Sequence, residues 1–285
     1  MLPLTRNRSR SRFFSTGASA PPPPPSNAWD VAYTVYANNS FSVAAEETAP
    51  TGVFFKPDGA KMYITGIIGV DINEYDLGTP WDVSTASYLQ NFSVSAQESS
   101  PSDLFFKPDG TKLYMVGTSG DAIYEYDLGT PWDVSTAVYL QNFSVSSQNT
   151  VPAGISFKPD GTKIYMVGSS PSQSVYEYNL SSAWDISTSS YAQAFSVSSQ
   201  ESFPRGVAFK PDGTKMYVNG QTGDDVNEYS LSTPWDISTA TFTVATFSFS
   251  AQGATSNQGV YFKPDGLSFF IIDSTLDSVL QYDIV

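Results

Sequence analysis

The sequence predicts an all-β fold: a five-bladed β-propeller whose blades are four-stranded antiparallel sheets. Three observations carry this expectation. The segment F-K-P-D-G recurs with its lysine at Lys56, Lys107, Lys158, Lys210 and Lys263, at spacings of 51, 51, 52 and 53 residues. The dipeptide Trp-Asp recurs between these copies, with its tryptophan at Trp29, Trp81, Trp132, Trp184 and Trp235. Each period of about fifty residues holds four short β-branched and aromatic runs bounded by turn residues, and no stretch has a helical period.

The second full copy shows the elements in order. Leu104-Phe105-Phe106 reads as the first strand and ends in Lys107-Pro108-Asp109-Gly110. Proline presets φ at the first turn position, aspartate accepts backbone hydrogen bonds, and glycine takes a positive φ without steric cost, so this segment is a tight hairpin. Lys112-Leu113-Tyr114-Met115-Val116 is the second strand and Ala122-Ile123-Tyr124-Glu125-Tyr126 the third. A loop, Gly129 to Thr136, carries Trp132-Asp133, and Tyr139 to Val145 is the fourth strand. The lysines flanking each hairpin read as a solvated rim. The phenylalanines Phe55, Phe106, Phe157, Phe209 and Phe262 read as packing between blades, and the tryptophans as anchors for their loops.

The two ends complete one blade between them. The first repeat begins with a Trp-Asp loop and a fourth-type strand, Tyr33 to Val43, with no earlier partners. The last repeat stops after a third-type strand, Val279 to Tyr282. Pairing the N-terminal strand with this one closes the ring and leaves no blade unfinished.

Composition limits the chemistry. There is no histidine and no cysteine, which excludes disulfides, thiolate nucleophiles, Cys/His zinc sites and triads with a histidine base. No metal or cofactor is expected, and no run has EF-hand spacing. Arg6, Arg8, Arg10 and Arg12 precede every acidic residue; the rest of the chain holds 10 basic and 28 acidic residues, a net of −18. Such a body repels nucleic acid and anionic membranes, and no run is apolar enough to span a bilayer.

Residues 1–20 are basic, Ser-rich and free of acids, residues 21–26 form a proline-rich linker, and residues 27–285 form the propeller. Five prolines in a row favour a stiff extended spacer. Three readings of the N-terminal segment compete: a solvated tail, a transit peptide, and a docking arm in which Arg6, Arg8, Arg10, Arg12, Phe13 and Phe14 meet another subunit.

The hairpin motif F-K-P-D-G-T-K-[LIM]-Y, at residues 157–165 for example, resembles the hairpin of YVTN-type and WD40-like propeller repeats. The repeating D-L-[GS]-T-P-W-D-[VI]-S-T-A resembles repeat proteins encoded by marine phages, described as virion or tail-fibre components. The first resemblance implies the fold. The second implies a structural place in a virus particle. The third-to-fourth strand loop is longer than in typical WD40 blades, and their histidine signature is missing.

The two faces of the ring differ in uniformity. One carries the K-P-D-G hairpins and Trp-Asp loops, nearly identical in every blade. The other carries loops that diverge, which suits recognition of something without five-fold symmetry. At the start of the innermost strands stand Thr51, Ser102, Ala153, Arg205 and Gln258, followed by Gly52, Asp103, Gly154, Gly206 and Gly259. Glycine fits strands converging at a crowded axis, and Asp103 is the exception. Arg205 is the only arginine outside the N-terminal segment. Thr51, Ser102, Asp103, Arg205 and Gln258 are therefore the candidate ligand-binding residues at the axial mouth. Glycosidases on five-bladed propellers need two carboxylates facing each other across the substrate; the strand starts offer Asp103 alone, so no enzyme is expected. Five equivalent sugar sites at the Trp-Asp loops remain a weaker possibility of the same sequence.

The expected function is a virion-associated decoration or host-attachment protein, held to other virion proteins through residues 1–25 and displaying its propeller to a host-surface glycan or protein. The alternative is a free, extracellular or cell-surface carbohydrate-binding propeller.

Overall fold

The computed structural model describes residues 27–285, so the expectations for the N-terminal arm and linker lie outside the described residues. Five four-stranded antiparallel sheets stand around one axis. The first blade is β2 (Pro50–Phe55), β3 (Lys61–Gly66), β4 (Asp71–Leu77) and β5 (Ala86–Ser93). The second is β6 (Pro101–Phe106), β7 (Lys112–Gly117), β8 (Ala122–Leu128) and β9 (Ala137–Ser144). The third is β10 (Pro152–Phe157), β11 (Lys163–Gly168), β12 (Ser174–Leu180) and β13 (Ser189–Ser196). The fourth is β14 (Pro204–Phe209), β15 (Lys215–Gly220), β16 (Asp225–Leu231) and β17 (Ala240–Ser248). The fifth is β18 (Asn257–Phe262), β19 (Ser268–Asp273) and β20 (Ser278–Ile284), completed by the N-terminal β1 (Thr34–Ser42), which pairs antiparallel with β20.

The ring is therefore closed by both ends of the propeller, as the repeat phase predicts. The inner strands β2, β6, β10, β14 and β18 contact one another around the axis. Hydrophobic clusters fill the spaces between adjacent blades; one joins Val53, Phe55 and Met62 of the first blade to Phe270 and Ile272 of the fifth. Among the described residues no helix is long and apolar enough to cross a membrane.

Each Trp-Asp loop turns through a short 3-10 turn capped by its aspartate; Asp133 accepts the Ser135 N–H at 3.0 Å. Every tryptophan of the motif has a positive φ, between 64° and 68°. Its ring stacks on the phenylalanine of its own blade, as Trp132 does on Phe106 with centroids 5.4 Å apart. In four of the five, all but Trp81, the carbonyl accepts a tyrosine hydroxyl from the preceding blade: Tyr63 to Trp132 at 2.7 Å, Tyr114 to Trp184 at 2.6 Å and Tyr165 to Trp235 at 2.6 Å. Tyr217 reaches Trp29 at 2.5 Å and ties the fourth blade to the fifth. The tryptophans thus join blades as well as anchoring loops.

The lysines divide into two kinds, and this corrects the expectation of a uniform solvated rim. Lys107 pairs with the exposed turn residue Asp109 at 2.8 Å. Lys112 instead reaches the buried Glu125 at 2.5 Å. Glu125 also accepts from Gln141 at 2.9 Å and from the Ile186 N–H of the next blade at 3.2 Å. The sequence also suggests that each Glu-Tyr pair, such as Glu125-Tyr126, alternates between solvent and core, but Glu125 and Tyr126 are both buried, the glutamate because it is hydrogen-bonded on every side.

Candidate functional site

The inner strands place their residues in layers along the axis. At the divergent-loop mouth, Thr51, Ser102, Ala153, Arg205 and Gln258 surround a cavity of about 20 Å³. One step in, Gly52, Gly154, Gly206 and Gly259 crowd the axis. A Cβ on Gly154 would lie 2.5 Å from the Arg205 carbonyl oxygen, and one on Gly52 would lie 2.8 Å from the Asp103 Cα. This is the steric reason for glycine at this layer. Further along, Phe54, Phe105, Ser156, Ala208 and Tyr261 line a second cavity of about 250 Å³ that opens between Pro57, Pro108, Pro159, Pro211 and Pro264 of the hairpins.

Four of the five predicted site residues thus come together, and the fifth does not. Thr51, Ser102, Arg205 and Gln258 share the mouth, while Asp103 stands in the constriction itself, at the position of the four glycines, and lines the apolar cavity beyond it. The Asp103 carboxylate reaches both blades next to its own. One oxygen accepts the Ile155 N–H at 3.0 Å in the third blade, and the other lies 2.8 Å from where a Cβ on Gly52 of the first would stand. Burial pushes its pKa up to about 8, against the opposing pull of backbone N–H groups at Ile155 and Leu104.

Arg205 dominates the mouth. Its guanidinium donates to Gln221 Oε1 at 3.0 Å and sits 5.0 Å from the centre of the Phe203 ring. Its Nε is buried with no partner, and desolvation lowers its pKa from the ordinary value. Every lysine among the described residues is in an ion pair with a carboxylate, whereas Arg205 is in none. The other mouth groups differ in availability. Thr51 spends its hydroxyl on the Pro101 carbonyl at 2.8 Å. Gln258 donates to Ser256 Oγ at 3.1 Å and Ser274 Oγ at 3.0 Å.

The divergent loops hide a repeated structural group that sequence reading did not find. Glu98 accepts N–H bonds from Ser100 at 2.7 Å, Ser119 at 3.1 Å and Gly120 at 3.0 Å, knitting two loops together. Glu47 and Glu201 do the same in their blades, and Asn149 takes the position in the third. The alignment of Glu47, Glu98, Asn149 and Glu201 ahead of four of the five inner strands was the available signal. The Trp-Asp aspartates are likewise occupied: Asp133 accepts from Ser135 and from Gln90 of the preceding blade, at 2.7 Å for the latter. Among the described residues, Asp103 is the one acidic side chain lining either axial cavity, and no cluster of acidic residues could hold a metal.

Comparison with known proteins shows the fold and no family. No family model matches the sequence. Protein HIR1 of Yarrowia lipolytica is 23% identical over 203 residues, which is 67% of this chain and 18% of that protein. The chain therefore spans less than a fifth of that relative. Among solved structures, hydrazine synthase of Kuenenia stuttgartiensis superposes with a TM-score of 0.50 at 17% identity, over 79% of this chain and 55% of that one. A putative 6-phosphogluconolactonase from Bacteroides fragilis gives a TM-score of 0.49 at 16% identity, over 70% of this chain and 55% of that one. The chain spans about half the length of these solved chains.

Proposed function

We propose that this protein is a non-catalytic display propeller. Residues 1–25 hold it to other proteins of a virus particle, and the divergent mouth meets a ligand bearing an anionic group on a host surface. The observation that carries the ligand class is Arg205. An unpaired, half-buried guanidinium in a strongly acidic domain is costly unless an anion completes it. The mouth cavity admits one small group rather than a sugar ring, so a terminal carboxylate on a larger ligand is the fitting chemistry. The ring of hydroxyl and amide groups at Thr51, Ser102 and Gln258 also suits a glycan carrying that carboxylate.

The anchoring half of the reading is supported by direction. The described chain enters at Asn27 to Trp29 on the hairpin face, where the Trp29 N–H donates to the Gly266 carbonyl at 2.9 Å. A body held from that face points its divergent mouth away from the particle. The alternative, a free or cell-surface carbohydrate-binding propeller, uses the same mouth without the anchor. Mass spectrometry of purified virus particles, counting this chain against the major capsid protein, separates the two when repeated with a chain lacking residues 1–25. Fixed stoichiometry that is lost on deletion supports the anchored reading. Absence of the full chain from clean particles would leave the free carbohydrate-binding protein.

A further inference from the structure

The cavity on the hairpin face exists because the repeat is interrupted. In three blades the residue before the conserved phenylalanine is aromatic and lies on the tryptophan of the following blade. Phe54 stacks on Trp132 with centroids 6.5 Å apart, Phe105 on Trp184 at 6.4 Å and Tyr261 on Trp81 at 6.3 Å. In the two adjacent remaining blades this residue is Ser156 or Ala208. The tryptophans they would have covered are Trp235 and Trp29, and these are the two tryptophans that line the cavity. Two rings of a five-membered aromatic collar are missing, and they are neighbours.

The space left is about 250 Å³. A dry cavity of about 150 Å³ holds benzene, so this one admits a larger ring system. The remaining collar supplies edges and faces: Phe54 meets Phe105 at 5.2 Å and Tyr261 at 5.0 Å, both edge to face. Polar groups are few and converge. Among the described residues the hydroxyls of Ser156 and Tyr261 have no hydrogen-bond partner, and Asp103 closes the floor.

We propose that the hairpin-face cavity binds a small planar aromatic compound of one or two fused rings that carries a ring N–H or hydroxyl. Its ring takes the place of the missing collar members against Trp235 and Trp29. Its polar hydrogen meets Ser156, Tyr261 or Asp103. The site lies across the glycine constriction from Arg205 and is independent of the ligand read by the mouth.

Indole is the probe, followed with the full-length chain by saturation-transfer NMR. The expected result is saturable transfer to indole, with cyclohexanol unable to compete. The double variant Ser156→Phe, Ala208→Phe restores the ring found in the other three blades, and it is expected to weaken indole binding by about tenfold or more. Should that variant fail to fold, Ala208→Leu fills part of the same space and is expected to weaken binding in the same direction. Absence of saturable binding in the natural chain, equal binding in the filled variant, or equal competition by cyclohexanol would overturn the proposal.

Discussion

The Trp81 indole stacks on Phe55 with ring centroids 5.9 Å apart and lies directly against the bare α-carbon of Gly59. Gly59 has a φ of 76°, and the same contact recurs at Gly110, Gly161, Gly213 and Gly266. The hairpin glycine is therefore required twice, by its backbone angle and by the ring above it. Gly59→Ala adds a left-handed alanine and an overpacked methyl, and is expected to cost about 3 kcal/mol. Thermal denaturation checks this as a fall in Tm of about 6–12 °C.

Glu125 joins two blades, with Lys112, Gln141 and the Ile186 N–H all directed at one buried carboxylate. Glu125→Ala leaves a buried N–H without an acceptor and a lysine with only its exposed partner Asp127. The expected loss is about 2–3 kcal/mol, read by urea denaturation. Glu125→Gln retains the acceptor for Ile186 and is expected to lose less than half of that.

The junction of the fifth and first blades lacks this device. Phe270, Ser268 and Gln281 stand where the first four blades have tyrosine, lysine and glutamate. Asn39 partly substitutes, donating to Gln281 at 2.9 Å and Asp82 at 2.8 Å. No donor among the described residues reaches the Trp81 carbonyl. Phe270→Tyr supplies one and is expected to stabilise the protein by about 1 kcal/mol. Hydrogen exchange should show β1, β20 and β2 opening before the other seams in the natural chain, and later in this variant.

Asp103 gives stability a pH dependence of unusual sign. Burial holds its proton in the folded chain up to about pH 8, whereas the unfolded carboxyl loses it near 3.8. Between these values the folded state binds more protons, so stability falls as pH rises and levels off above about 8. Asp109, Asp160 and Asp212 behave oppositely: burial opposes ionisation, but the hydrogen bonds and charge of Lys107, Lys158 and Lys210, together with the side-chain and backbone hydrogen bonds of Thr111, Thr162 and Thr214, outweigh it and hold them at about 2. Their contribution is present above the ordinary carboxylate value and is lost as pH falls towards 2. Asp103→Asn keeps an acceptor for Ile155 and is expected to be the more stable protein at pH 9, with the advantage disappearing by pH 4. Paired denaturation curves at the two pH values check it.

The repeat made the fold legible. The hairpin glycines, the blade count and the closure of β1 on β20 all follow from spacing and phase, which are local properties of the chain. The mouth was legible for a related reason: residues at equivalent positions in successive blades must meet at the axis, so Thr51, Ser102, Arg205 and Gln258 could be grouped from alignment alone. Asp103 joins that group in the sequence as the one polar residue at the axial glycine position. Each residue of an inner strand advances about 3.3 Å along it, so Asp103 stands one step in from the mouth, at the glycine constriction, and faces the other cavity. The aromatic collar was not seen. Phe54 and Phe105 look like ordinary core residues until the tryptophan of the next blade is placed over them, and the gap at Ser156 and Ala208 then has a meaning. The interblade role of Glu125 was hidden by the same dependence on contacts about sixty residues apart.

The most direct test of the account is a binding screen of the full-length chain against paired glycans that differ only in a terminal carboxylate, run beside Arg205→Gln. Saturable binding to the acidic members, at least about tenfold weaker in the variant, is the predicted result. Equal binding to the neutral members, or binding unchanged by loss of the Arg205 charge, would contradict it.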